Sequence, residues 1–306
     1  MTFVRPRDLQ EIEHRISFAR SFLFVPGDRP DRIRKALDAG ADAVIIDLED
    51  AVRPSARPFA RSVIRDLAGG LRDSPPSVIL ARVNPHGSPD FAADVTAVVD
   101  GALDGIVVSK FVPGTAASEM DDAMSAIESG RGRAHTTPVI ALVESAAGVL
   151  GLSVPKGLPP RVRRFAFGAA DFYADLRISY QPAGIYTDLA MTALVIASAA
   201  GNLPAPLDSP HFSIDDEAGL AAAVGRARER GFAGALCIHP NQISTVNAGF
   251  AVTEDERTWA TKVLAAWNDP SKSAAGAIRV DDELVDEAMA RRARQIVNHA
   301  DRRYQP

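Results

Sequence analysis

Short apolar runs recur along this 306-residue chain, and each breaks off on polar or charged residues. Six begin near residues 22, 43, 78, 105, 138 and 165, and another spans Gly234–Ile238. Consecutive apolar residues without alternation describe a strand covered on both faces, the habit of parallel sheets. Between the runs lie stretches with helical spacing, at about 31–39, 57–68, 91–99 and 116–128. Gly40 and the pair Gly69–Gly70 stand where the first two of these should stop. Regular alternation of strand and helix predicts parallel βα units. One strand, seventh in order, is assigned by counting to the Pro-rich segment Pro204–Ile214. Eight units over about 240 residues predict an α/β fold, a (β/α)8 TIM barrel with a C-terminal helical extension.

The barrel is expected to occupy residues 1–248, after a polar lead-in, and the extension residues 249–306. Thr253-Glu254-Asp255-Glu256 has the form of a capping box opening a helix through Trp267. Asp269–Gly276 reads as a flexible linker. A last helix is expected from about Glu283 to His299, with its acids before its bases as the helix dipole favours. Such an extension suits a lid, or a piece that docks on a neighbouring subunit.

The formal net charge is −5, which argues against a nucleic-acid partner. Basic residues are scattered apart from Arg161–Arg164 and a C-terminal cluster. Cys237 has no second cysteine to pair with and lies in an apolar run, so a buried, inert thiol in a reducing compartment is expected. The N-terminal residues show no apolar signal segment. The longest nearly apolar run, Leu189–Ala200, falls short of the roughly 20 residues a membrane helix needs. A cytoplasmic protein without a membrane partner is the expectation.

The polar residues that end the strands are Asp28, Glu49, Asp50, Arg82, Lys110, Glu144, Asp171 and Asn241. In a barrel those ends share the face that carries active sites. Two neighbouring stretches, PVIALVESAAG (138–148) and RFAFGAADF (164–172), place Glu144 and Asp171 just past apolar strands. A shared cation would account for the pair, and oxygen ligands with few carboxylates suit Mg²⁺. The alternative is two structural acids that cap helices or pair with arginines. Arg82 could clamp a carboxylate or stabilise an enolate, or form an internal ion pair with Glu49 or Asp50. Lys110 could form a Schiff base, although the acid pair favours an electrostatic or structural part. His86 and His239 read as turn residues, and the histidines are too dispersed for zinc. No nucleophile elbow, P-loop or dinucleotide fingerprint is present.

Six stretches, in order, resemble the citrate lyase β-subunit-like group of the HpcH/HpaI aldolase family, which is similar to malyl-CoA and citramalyl-CoA lyases. They are Arg20–Leu37, Ala43–Val52, Ala81–Pro85, Ile140–Val149, Phe167–Phe172 and Gly231–Ile243. The tail around Asp286 is also similar. The resemblance implies a Mg²⁺-dependent, homotrimeric or homohexameric TIM barrel that cleaves or forms carbon–carbon bonds in 3-hydroxy-acyl-CoA thioesters. Its implied partners are an acyl-CoA and a small 2-oxo acid such as glyoxylate or pyruvate. By resemblance, Glu144 and Asp171 are metal ligands, with Glu144 also at the substrate. Arg82 is the substrate-binding and catalytic arginine. Asp286 matches the tail acid that serves as acid/base in a neighbouring subunit's site. Arg29, Arg32 and Lys35 would meet CoA phosphates if they point inward. The sequence departs from the family pattern at Met191 (usually arginine), Ala235 (usually lysine) and across Pro204–Ile214. These departures bear on the thioester partner and acyl group. Two other readings are a class II aldolase for a free 2-oxo acid and a non-autonomous lyase-complex subunit working on an acyl-carrier-protein thioester.

Overall fold

The computed structural model describes residues 8–67, 77–101, 103–133, 136–153, 158–269 and 276–301. Eight parallel strands close a barrel in chain order. They are β1 (Ser21–Pro26), β2 (Ala43–Asp47), β3 (Val78–Val83), β4 (Gly105–Val108), β5 (Val139–Val143), β6 (Val162–Phe167), β7 (Leu207–Asp208) and β8 (Gly234–Cys237). β8 returns to β1 with Leu236 beside Phe22, so the sheet has no free edge. The architecture is the (β/α)8 barrel that the alternation predicts. The seventh strand lies inside the Pro-rich segment but is only two residues long, because proline cannot donate to the ladder.

Helix α1 (Leu9–Phe18) precedes β1, and α2 (Pro30–Leu37), α3 (Arg57–Leu67), α4 (Phe91–Asp100) and α5 (Thr115–Gly130) follow the first four strands. After β5 comes the short α6 (Ala146–Gly151), and after β6 come both α7 (Ala169–Leu176) and α8 (Ile185–Ala200). α9 (Glu217–Glu229) and α10 (Gln242–Gly249) complete the ring. Gly40 ends the α2 turn at φ +80°, the left-handed region that favours glycine. The expected stop at Gly69–Gly70 lies outside the described residues.

The strand period of two decides what each side chain meets. Phe22, Ile45, Leu80, Ile140, Leu142 and Leu236 point into the barrel and form its interior cluster. Leu23, Val44, Ile79, Ala141 and Phe165, one step out of phase, pack against the helices. Cys237 is buried in that outer layer, and burial pushes its thiol up to about 12, which makes it unreactive.

The N-terminal end of the barrel adds two features to the strand pattern. The polar lead-in is in fact helix α1, whose Ile12 and Ile16, four residues apart, join the interior cluster and plug the opening. The basic cluster Arg161–Arg164 is largely internal. Arg161 is buried on Asp121 and Glu128, and Arg163 pairs with Glu13 of α1 at 2.6 Å. Arg164 is wholly buried in the inward phase of β6. It donates from Nε to Ala205 O (2.7 Å) and from Nη1 to Ile16 O (2.9 Å) and Ala19 O (2.7 Å). Burial pulls its pKa down to about 9, which leaves it a cation at neutral pH.

The chain separates into two compact units, residues 1–250 and 251–306. In the second, α11 (Glu254–Trp267) opens on the capping box: Thr253 N–H donates to Glu256 Oε2 (2.9 Å) and Glu256 N–H to Thr253 Oγ1 (3.2 Å). Then β9 (Ala277–Val280) and β10 (Glu283–Asp286) pair antiparallel, and α12 (Glu287–Asp301) follows. Glu283–Asp286 is therefore a strand, and the last helix starts at Glu287 rather than Glu283. Val285 and Ile278 are the reason: hairpin pairing buries both against Ala260, Val263 and Ala293. Of the expected linker, residues 270–275 lie outside the described residues.

Candidate metal and substrate site

The inward phase continues past the last apolar residue of each strand, and at the C-terminal ends it turns polar. On β2 the phase of Ala43 and Ile45 ends on Asp47. On β3 that of Val78 and Leu80 ends on Arg82, and Asp47 and Arg82 are register partners. Beyond β5 the phase of Ile140 and Leu142 reaches Glu144, and beyond β6 that of Ala166 reaches Gly168. These residues open onto a cavity of about 330 Å³ that also takes in Asp50 and Asp171.

Glu144 is 3% exposed, and its Oε1 accepts the Lys110 backbone N–H at 2.8 Å. Lys110 delivers that N–H from a left-handed backbone, φ +51°, a conformation a lysine holds only under constraint. Gly168 is what lets the carboxylate lie where it does, because any β-carbon there would run into Glu144 Oε2. Burial, then the neighbouring charges of Glu49 and Asp171, push Glu144 up to about 8.

Arg82 is spent on three acids. Its Nε and Nη2 donate to Asp47 Oδ1 and Oδ2 at 2.7 and 2.5 Å, a two-pronged pair. Its Nη1 lies 3.1 Å from Glu49 Oε2 and 3.6 Å from Asp50 Oδ2. Asp47 is itself fixed by the N–H groups of Glu49 and Ala51, both at 2.9 Å. Burial works against the Arg82 cation, but Asp47 and its neighbours outweigh it and raise the pKa. Glu49 is raised by burial despite Arg82. Lys110 Nζ reaches Glu49 Oε1 at 3.3 Å from the half-exposed rim. The ion pair expected with Glu49 or Asp50 is therefore present, and Asp47 is a further partner.

Five carboxylates (Asp47, Glu49, Asp50, Glu144, Asp171) thus meet two cations (Arg82, Lys110). That surplus, the raised Glu144 and the Gly168 cradle fit a hard divalent cation held through oxygen. Among the described residues no group of three or more His, Cys, Asp or Glu side chains is set to hold a metal. Two carboxylates with water and substrate oxygens completing the shell is the pattern of Mg²⁺.

The structure brings Arg82, Glu144, Asp171 and Asp50 together at one cavity. Asp28 and Asn241 do not line it; Asn241 donates its N–H to the His239 ring at 3.2 Å, a turn contact as expected for His239. His86 stacks edge-on to Phe91 at 5.1 Å. Asp286 belongs to the second unit, where it ends β10, is exposed, and accepts the Met289 N–H at 3.0 Å. Arg29 is exposed and paired with Asp31 (3.2 Å), and Arg32 and Lys35 are exposed along α2. Sequence reasoning passed over Asp47, the main partner of Arg82, and the apolar residues of the cavity, including Phe24, Phe212 and Ile238. Counting by twos from Ala43 would have found Asp47.

The profile of the HpcH/HpaI aldolase/citrate lyase family matches residues 20–240. A citrate lyase subunit beta-like protein of Deinococcus radiodurans is 32% identical over 286 residues, covering 92% of this chain and 96% of its own. The L-malyl-CoA/β-methylmalyl-CoA lyase of Cereibacter sphaeroides is 30% identical over 304 residues, covering 92% and 94%. Among solved structures, protein CitE of Mycobacterium tuberculosis in complex with magnesium, acetoacetate and coenzyme A is similar at a TM-score of 0.73. It shares 28% identity and covers 93% of this chain and 99% of its own.

Proposed function

This chain belongs to the HpcH/HpaI aldolase/citrate lyase family, and from that premise we propose that it is a Mg²⁺-dependent carbon–carbon lyase, or a synthase in the reverse direction. Its substrate would be a short 3-hydroxy-acyl-CoA such as malyl-, citramalyl- or citryl-CoA. The observation that carries this reading is the convergence of Glu144, Asp171 and Arg82 on one cavity whose carboxylates outnumber its cations. Relatives named as lyases, and a similar structure that holds magnesium, an oxo acid and coenzyme A, support it.

Glu144 and Asp171 would hold the Mg²⁺, which when bound supplies Lewis-acid polarisation of the oxo-acid carbonyl. Glu144 is positioned for this by the Lys110 N–H and by the missing side chain at Gly168. Arg82 would receive the thioester oxygen as it becomes an enolate. Its guanidinium is already oriented by Asp47, so no rearrangement is needed as charge develops. Asp286 would take the α-proton of the acetyl thioester and return it in cleavage, working in a neighbouring subunit of a homotrimer or homohexamer. An oligomer is supported by α8, whose outer Ile185, Leu189 and Ile196 are 76, 60 and 63% exposed. Large apolar side chains grouped on one helix surface are ordinarily covered. A cytoplasmic setting fits the lone buried Cys237.

The test is release of acetyl-CoA or propionyl-CoA from malyl-, methylmalyl-, citramalyl- and citryl-CoA, first with Mg²⁺ and then with EDTA. Turnover of one of them, lost in EDTA, is expected. No turnover of any would overturn the reading, and the same assay on an acyl-carrier-protein thioester would then decide for a lyase-complex subunit.

A further inference from the structure

The cavity is divided. Its charged side chains, Asp47, Asp50, Arg82, Glu144 and Asp171, come from β2, β3, β5 and α7 and from the turns next to them. The opposite side is largely apolar: Phe24 and Leu236 in the floor, and Pro210, Phe212 and Ile238 in a wall that follows β7 and β8, where Ser209, whose hydroxyl accepts the Ala169 N–H at 3.0 Å, is the polar exception. No residue lining the cavity from β7 or β8 onward is charged.

That wall is built, not incidental. Gln242, 2% exposed, donates from Nε2 to His211 O (2.7 Å) and accepts the Ile238 N–H on Oε1 (2.8 Å). One buried side chain therefore ties both parts of the wall together. Phe212 meets the edge of Tyr180 with ring centroids 6.0 Å apart, and Tyr180 meets Tyr173 at 5.4 Å. Tyr173 is anchored in turn by its hydroxyl, which donates to Gln181 O at 2.9 Å. Phe212 keeps 46% of its surface open although it is held from behind, as a surface kept for a ligand would be.

A 2-oxo acid chelated through its carboxylate and carbonyl on the charged side has one substituent left on the carbonyl carbon. We infer that the site selects 2-oxo acids in which that third substituent is a small uncharged alkyl group, seated against Phe212 and Ile238. This rests on the lyase reading above. A hydrogen there leaves the wall unfilled, and a second carboxylate meets no cation and at most the Ser209 hydroxyl, so its desolvation is poorly compensated. In the condensation the acetyl thioester gives up an α-proton, the carbon–carbon bond forms to the carbonyl carbon, and the carbonyl oxygen becomes a hydroxyl by taking a proton.

The experiment compares glyoxylate, pyruvate, 2-oxobutyrate and oxaloacetate. It measures kcat/KM for condensation with acetyl-CoA and, by calorimetry with Mg²⁺ alone, binding of each acid without turnover. Pyruvate or 2-oxobutyrate should exceed glyoxylate by about tenfold or more in both, as one or two carbons in an apolar pocket give. Oxaloacetate should rank last. Phe212→Ser should shrink the pyruvate-to-glyoxylate ratio about tenfold and Phe212→Leu should restore most of it. Preference for glyoxylate or oxaloacetate, or a ratio unmoved by Phe212→Ser, overturns the inference alone. Binding of none of the four acids overturns the lyase reading and this inference with it.

Discussion

The two ends of this barrel carry buried charge in opposite ways. At the N-terminal end the cation of Arg164 is enclosed by α1 and donates to three carbonyl oxygens. At the C-terminal end five carboxylates crowd around Arg82 and Lys110, with a cavity of about 330 Å³ left open among them. One end is closed, with most of the donors of its buried cation placed on carbonyl oxygens. The other is left electrostatically incomplete, and Glu144 is held far from its ordinary ionisation as a result. The difference separates buried charge that is mostly compensated within the fold from buried charge that is not.

The sharpest way to break this contrast is to neutralise the incomplete end. Glu144→Ala and Asp171→Ala should each lower Mg²⁺-dependent turnover by about a thousandfold or more. Glu144→Ala should leave the metal-free protein at least as stable in denaturant as the parent, because it removes a buried acid whose ionisation is opposed by burial and like-charge neighbours. Loss of stability together with retained turnover would reverse the assignment of the two ends. At the closed end, Arg164→Leu should cost about 3 kcal/mol in urea unfolding, since three carbonyls lose their donor, with kcat of the folded fraction unchanged.

A pH series sharpens the comparison further. Glu144 has a folded pKa raised to about 8, so between its unfolded value and 8 the folded protein binds the extra proton. Mg²⁺ must displace it, and affinity by calorimetry should weaken about tenfold per pH unit below 8, down to about pH 6, with proton release. Over the same window the metal-free protein should lose stability as pH rises, and saturating Mg²⁺ should abolish that slope. The smallest effect is expected at Asp47→Asn. It keeps the shape but loses the two-pronged acceptor, and should lower kcat about tenfold through a looser Arg82 while KM moves little. Restoration by Asp47→Glu is not expected, because the longer side chain cannot accept the Glu49 and Ala51 N–H groups at the same time as Arg82.

What the sequence displayed and what it concealed follow from the same physics. Strands such as AVIID announce themselves because both faces are buried, and their polar ends named Arg82, Glu144 and Asp171 before any coordinates did. Asp47 was hidden among IDLED, where three acids within four residues look alike until the inward phase singles out one. Helix α1 was hidden because only Ile12 and Ile16 of its charged sequence are buried. The hairpin Ala277–Asp286 was mistaken in part for helix because its acids imitate a helix start, and the pairing that overrules them is with a neighbouring strand rather than within the segment. The apolar wall was illegible for a related reason. Pro210, Phe212 and Ile238 are unremarkable one by one, and only closure of β7 onto β8 sets them side by side.

The bond from Arg164 to Ile16 spans 148 residues of chain. Helix α1 is made before every strand of the barrel, and Ile12 and Ile16 can begin to pack on β1 to β3 as those appear. The carbonyls of Ile16 and Ala19 wait longer, for Arg164. At about 5–20 residues per second, that is roughly 7 to 30 seconds of synthesis. The polar lock on this end of the barrel is therefore set well after the apolar packing it secures.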